Sequence, residues 1–225
     1  MNGIRVFGES VVFHVGPLAV TDTAITAFMV SAGLIVIAVL LRSAVLDRPG
    51  SAAAIAGELA VQWLDDLVTD VVGHPAPGLA VFSGALFFFI AGSAIAGQMP
   101  GVRAPTASVA ATSALAFLVF VAVPVAGIRA KGFGGYLRDY VRPNPLLAPL
   151  HIMSEISRTF ALSIRLFGNM MSGQLIVALL VALAGVLVPA PMMALDLLIG
   201  FLQAYIFAVL ATVYIGAAIR VGEES

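Results

Sequence analysis

Long windows without a charged residue alternate with short charged segments along the chain. A helix needs about 20 predominantly apolar residues to cross a bilayer. The uncharged windows are Thr23–Leu41, Pro75–Val102, Ala104–Ile128, Leu166–Leu195 and Leu197–Ile219. They predict transmembrane helices over residues 23–45, 78–98 and 107–128, then two longer helices over 148–186 and 191–221.

Residues 52–72 combine apolar and acidic positions and predict a different kind of helix. Its acids are Glu58, Asp65, Asp66 and Asp70, and its apolar stripe is Ile55, Leu59, Gln62/Trp63 and Leu67. This pattern favours an amphipathic helix on the membrane surface, and the alternative is a loop helix packed on the spans. Both place it outside the bilayer core, and an interfacial position suits Trp63.

The last two predicted helices are too long for upright spans. A helix over 148–186 would be about 55 Å long, whereas the hydrocarbon core is about 30 Å thick. The segment Pro189-Ala190-Pro191 predicts the turn that follows it. The predicted fold class is therefore an all-α membrane protein, with upright transmembrane helices and a long, steeply tilted C-terminal helical hairpin.

Composition supports a single membrane domain over residues 1–225. The chain is 61% hydrophobic and 10% charged, with a mean hydropathy of +1.08. It has no cysteine, its three histidines are far apart, and no phosphate-binding loop pattern occurs. We expect no cofactor, no metal site and no catalytic residues. A net charge of −1 gives no sign of a nucleic-acid partner.

The distribution of lysine and arginine predicts the orientation. With the N-terminus outside, the inner side receives Arg42, Arg48, Arg129, Lys131, Arg138, Arg142 and Arg220, and the outer side receives Arg5 and Arg103. Positive charge concentrates on the cytoplasmic side of membrane proteins. The C-terminus is therefore expected in the cytoplasm.

Arg165 is the most informative residue, because apolar sequence surrounds it and no charged residue follows until Asp196. An arginine at membrane depth costs about 2.5–3.5 kcal/mol on insertion scales. Either its side chain reaches the interface, or a partner outside the helix offsets this cost. Helical spacing puts Arg165 on one side with Asn169 and Ser172, and Gln174 on the other.

Further polar residues follow the same two helices. Arg158 lies one heptad before Arg165, and Glu155 lies three residues before Arg158, so the two residues either line one polar pathway or pair with each other. Asp196, Gln203 and Tyr214 share a face of the last helix. The alternative for Asp196 is a helix N-cap, and for Gln203 and Asn169 it is inter-helix hydrogen bonding, which for Gln203 could hold Arg165.

Two motifs carry a resemblance to a known family. The stretch from Ser154 to Met170, SEISRTFALSIRLFGNM, closely resembles the signature of subunit a of F-type ATP synthases. The stretch from Leu202 to Ile215, LQAYIFAVLATVYI, is similar to the last-helix signature of the same family. Weaker similarity through Phe87–Pro100 and Pro105–Ala116 extends the resemblance over most of the chain.

The resemblance implies a non-catalytic subunit that conducts H⁺ or Na⁺ in a bacterial inner membrane. Its tilted hairpin would pack on a ring of c subunits, beside the b-subunit peripheral stalk and the remaining ATP synthase subunits. Arg165 matches the essential arginine that separates two half-channels, and Gln203 the glutamine facing it. Many relatives carry glutamate at Gln174, so we hypothesise that Asp196 supplies the outer carboxylate instead.

Two unrelated functions compete with this interpretation. A self-contained secondary transporter or channel would usually show an internal repeat or a helix pair broken by glycine or proline, and no convincing repeat occurs. A structural membrane anchor would tolerate the loss of Arg165.

Overall fold

A computed structural model of the protein describes residues 11–15, 18–99, 102–141, 148–185 and 190–220. It begins with an antiparallel hairpin of two short strands, β1 (Val11–Val15) and β2 (Leu18–Thr21), in which Val15 lies opposite Leu18. The sequence analysis did not predict this hairpin. Strands of five and four residues are too short to stand out in windows chosen to find membrane spans.

Helices make up most of the rest of the described chain. They are α1 (Asp22–Asp47), α2 (Ala52–Val72), α3 (Pro77–Gly97), α4 (Val109–Val141), α5 (Ala148–Ala184) and α6 (Ala190–Arg220). A 3₁₀ turn, Pro105–Ala107, lies between α3 and α4. All of these helices except α2 contain a segment long and apolar enough to cross a membrane. The predicted fold class, an all-α membrane protein, is confirmed.

Local sequence explains where the first helices begin and end. The side chains of Thr21 and Ser51 accept hydrogen bonds from backbone N–H groups in the first turns of α1 and α2. Gly73 ends α2 in the left-handed region, at φ 85°, where residues with a side chain are strained. Pro77 occupies the start of α3, where a missing N–H costs nothing.

Helix α4 extends well beyond the span predicted to end at residue 128. It continues to Val141 past a break at Gly132, whose φ of 75° and ψ of 163° are not helical. The uncharged window ended at Arg129 because charge ends a membrane span, although it does not end a helix. Asp139, beyond the predicted span, lies in this extension of α4.

Helix α2 packs on the spans with a face that shares only Leu67 with the predicted stripe. Its buried residues are Ala54, Leu64, Leu67, Val68 and Val72. Ile55 and Leu59, assigned to the apolar stripe, are 48% and 59% exposed. Trp63 contacts Phe87 of α3, with the ring centroids 4.9 Å apart. Helix α2 has apolar residues on two neighbouring faces, and packing against α3 and α6 buries one of them.

The core lies where α3 and α6 meet, with one side of α5 completing it. Ile90, Leu166 and Phe207 come from these three helices and are fully buried. Two small residues bring α3 and α6 together, because a Cβ built on Gly200 would lie 2.6 Å from the Cβ of Ala94. A buried hydrogen bond of 2.6 Å between the hydroxyls of Ser83 and Thr212 joins the same helices.

The Gly200→Ala variant is expected to be less stable than the wild type. Its new methyl group would overlap Ala94, whose Cβ cannot rotate away, and overpacking of this kind costs about 1–3 kcal/mol. Thermal unfolding of the detergent-purified protein measures the effect. Gly33→Ala in α1 is the matched control, since a Cβ there meets nothing within 4 Å. Equal unfolding temperatures for both variants would contradict the close α3–α6 contact.

Candidate functional site

The polar residues of α5 and α6 meet in three levels along the hairpin. At the first level Arg158 lies over Tyr214, at the middle level Asn169 bonds Gln203, and at the third level Asp196 lies against Gly173. Gln203 and Tyr214 are eleven residues apart, as are Asn169 and Arg158 on the other helix. This matched spacing is typical of two antiparallel helices in register, so the predicted polar face of α6 does turn toward α5.

At the first level, the guanidinium carbon of Arg158 lies 5.2 Å from the centre of the Tyr214 ring. A guanidinium over an aromatic face is attracted by the negative face of the ring. Glu155, one turn earlier on α5, is half-buried. The two uses considered for Glu155 and Arg158, lining a pathway or pairing with each other, stay predictions.

At the middle level, the Asn169 side-chain amide donates to Oε1 of Gln203 over 2.9 Å. The inter-helix hydrogen bonding considered for Gln203 and Asn169 is confirmed, and the partner of Gln203 is Asn169, not Arg165. Gln203 is only 2% exposed, and its Nε2 has no hydrogen-bond partner among the described residues. The pair fixes α5 and α6 relative to each other one turn beyond Arg165.

Arg165 itself lies on the outside of the hairpin. It is exposed, and no hydrogen bond or ion pair within the described part of the chain involves it. Its neighbours Phe160 and Ile164 are 64% and 65% exposed, so apolar surface surrounds the charge. The exposed residues that follow Arg165 on the same side of α5 are small, namely Gly168 and Ser172. A Cβ on Gly168 would meet nothing within 4 Å, so open space lies in front of this surface.

At the third level, Asp196 lies where α3, α5 and α6 come together. Its Oδ2 accepts a hydrogen bond of 3.1 Å from the side-chain amide of Gln98, the residue that caps α3. Its Oδ1 points at Gly173 and occupies the place where a Cβ would be. The N-cap interpretation of Asp196 is wrong, because α6 already begins at Ala190 and Asp196 is the seventh residue of that helix.

Gln174 lies close to the same junction but on a different side of α5 from Arg165. It is half-buried, and its Nε2 would be 3.0 Å from a Cβ built on Gly97. Sequence reasoning missed Gln98 completely. The only available signal was a polar residue at the end of an apolar span, which by itself does not indicate a partner 98 positions away.

The described residues contain no group of three or more histidine, cysteine, aspartate or glutamate side chains arranged to hold a metal ion. The described polar side chains of the hairpin instead include two exposed arginines, two half-buried carboxylates and several amides. None of them forms a nucleophile paired with a general base. The arrangement is suited to moving an ion past a fixed charge.

Comparison with known proteins supplies the family. Residues 24–216 match the family described as ATP synthase A chain. The chain is 42% identical to ATP synthase subunit a 2 of Bradyrhizobium sp. over 213 residues, which cover 94% of each protein. It is 36% identical to ATP synthase subunit a 1 of Hahella chejuensis over 94% of this chain and 90% of that protein.

A third relative, ATP synthase subunit a of Albidiferax ferrireducens, is 52% identical over 139 residues, or 62% of this chain and 60% of that protein. These similarities agree with the five long apolar helices found among the described residues and with the polar C-terminal hairpin. The chain therefore belongs to the ATP synthase A chain family, as a multi-pass membrane subunit a of the Fo sector.

Proposed function

We propose that this chain translocates protons as the stator subunit of a rotary ATP synthase. Two half-channels lead from opposite sides of the membrane to a ring of c subunits, and Arg165 separates them. The chain carries no nucleotide chemistry of its own. A b-subunit stalk and the remaining ATP synthase subunits complete the assembly in the bacterial inner membrane, with the N-terminus outside and the C-terminus in the cytoplasm.

The position of Arg165 carries this proposal. An exposed guanidinium surrounded by exposed apolar side chains is unfavourable against lipid, because lipid offers neither water nor a counter-charge. A ring whose helices each bring a carboxylate to the level of Arg165 would supply the missing anion. The open space in front of Gly168 lets such a helix approach closely.

A permanent positive charge facing the ring has two effects on ion movement. It attracts the carboxylate that passes it and favours release of the ion that neutralises that carboxylate. It also repels cations that would otherwise cross directly from one half-channel to the other. The Asn169–Gln203 bond supports this function by holding α5 and α6 together next to Arg165.

The remaining polar residues divide between the two half-channels. Asp196 and Gln174, near the turn of the hairpin, belong to the outer half-channel in the proposed orientation. Glu155, Arg158 and Tyr214, toward the other end, belong to the cytoplasmic half-channel. In the outer group, Asp196 is the residue that can gain and lose a proton, since the Gln174 amide does not titrate.

A sodium-translocating version of the same subunit is the second candidate. The observation that favours it is the neutral Gln174 at a position where many relatives carry an acid, which reduces the number of proton-carrying groups in this chain. The ring carboxylate site selects the ion, and that site belongs to another chain.

ATP-driven pumping by the whole complex in liposomes tests the function. We expect internal acidification in sodium-free buffer, abolished by a protonophore, because protons are the transported ion. A complex assembled without this chain is the control, and it should hydrolyse ATP without acidification. Pumping that requires sodium and continues in the presence of the protonophore would show that the transported ion is sodium and not the proton. Normal pumping without the chain would overturn the proposal.

A further inference from the structure

We infer that Gln98 is a positioning residue for the outer half-channel carboxylate, which it holds at the junction of α3, α5 and α6. This inference rests on the proposed function, in which Asp196 gains and loses the transported proton. The neighbouring glycine, Gly173, also contributes to this position, because it has no side chain and leaves room for the carboxylate.

The Gln98 side chain starts from a fixed point. Gln98 is the C-cap of α3, and its backbone N–H donates to the carbonyls of Ile95 and Ala96. The preceding residue, Gly97, lies so close to the returning chain that a Cβ there would be 2.8 Å from the Cβ of Ala104. The amide therefore reaches Asp196 from a backbone that is held on both sides.

The chemistry of the partner suits a carboxylate that must change its charge. Arginine at this position would be permanently charged and would hold an aspartate in the ionised form. An amide is neutral, and it can donate to a carboxylate or accept from a carboxylic acid. Gln98 can therefore orient Asp196 in both states, with the side-chain amide 3.1 Å from Oδ2.

Gly173 determines how closely the Asp196 carboxylate can approach the backbone of α5. Any residue with a Cβ would occupy the space of Asp196 Oδ1, so the side chain would have to leave its place beside Gln98. Asp196 is thus enclosed by an amide from α3 and a backbone surface of α5. Both contacts come from helices other than that of Asp196, so this position for the carboxylate exists only in the folded protein.

Exchanging the two side chains tests the inference. The double variant Gln98→Glu with Asp196→Asn keeps one carboxylate and one amide at the same junction, with their positions swapped. We expect it to pump at least about tenfold faster than Asp196→Asn alone, because a proton-transfer group is restored within reach of its old place. Gln98→Leu should lower pumping about tenfold, the loss expected for one hydrogen bond to a charged group.

Pumping rates are divided by the amount of assembled complex, so a variant that fails to fold is not counted as inactive. Gln62→Leu, which removes an exposed amide of α2, is the matched control and should pump like the wild type. A double variant no faster than Asp196→Asn would overturn the role of Gln98 and leave that of Asp196. An Asp196→Asn variant as fast as the wild type would instead overturn the outer carboxylate itself.

Discussion

Replacing Arg165 by alanine is expected to abolish ATP-driven pumping and to open a passive ion leak through the membrane sector. The variant removes the exposed cation that in our proposal keeps the two half-channels apart. Without it, an ion could pass between the half-channels along the ring without rotation, so a gradient could neither drive the motor nor be built up by it. Decay of an imposed pH gradient, in vesicles stripped of the soluble sector, measures the leak.

Two further variants separate charge from structure at this position. Arg165→Lys keeps a positive charge but loses the planar guanidinium. It should therefore suppress the leak while pumping stays impaired. Arg48→Ala, at the end of α1, removes an exposed arginine outside the hairpin and should change neither quantity. An Arg165→Ala complex that pumps normally and shows no ion leak would show that the arginine is structural. It would favour the interpretation of the chain as a membrane anchor.

The second large effect is expected at the outer end of the hairpin. Asp196→Asn should slow pumping about 100-fold, the lower range for loss of a positioned proton-transfer group. Gln174→Ala should have a much smaller effect, because an amide does not carry a proton in transport. The geometry agrees with this order, since Asp196 lies at the junction of three helices while Gln174 lies against Gly97 beside it.

The comparison is made on initial rates of ATP-driven acidification in inverted vesicles with equal amounts of complex. Asp70→Asn removes an exposed carboxylate of α2 and serves as the control for a change of net charge. A larger defect in Gln174→Ala than in Asp196→Asn would reject the idea that the outer carboxylate belongs to the last helix in this chain. It would instead make Gln174 the residue that orients the ion.

The sequence analysis succeeded wherever the bilayer imposes a simple rule. A span needs a minimum length of apolar sequence, so uncharged windows located helices that the structure places at similar bounds, Asp22–Asp47 and Pro77–Gly97 among them. The same rule made Arg165 conspicuous, because charge at membrane depth needs a partner. Two motifs then identified the family, which the comparisons confirm.

Rules about single helices failed where the outcome depends on neighbours. Helix α2 has two adjacent apolar faces, and its sequence does not say which one meets α3 and α6. The position of Asp196 after two prolines allowed a capping role, which the observed start of α6 excludes. For Gln203, helical spacing did not distinguish Asn169 from Arg165 as the partner, and only the packed hairpin shows the bond to Asn169.

The sequence by itself therefore determined the membrane class, the long apolar helices, the family and the unusual arginine, because each follows from local composition or from a contiguous motif. The tertiary structure alone decided the contacts between helices: Arg158 with Tyr214, Asn169 with Gln203, and Gln98 with Asp196. The partners in these contacts lie 34 to 98 residues apart. Which of them meet depends on how whole helices pack, and helical periodicity within one segment carries no information about that.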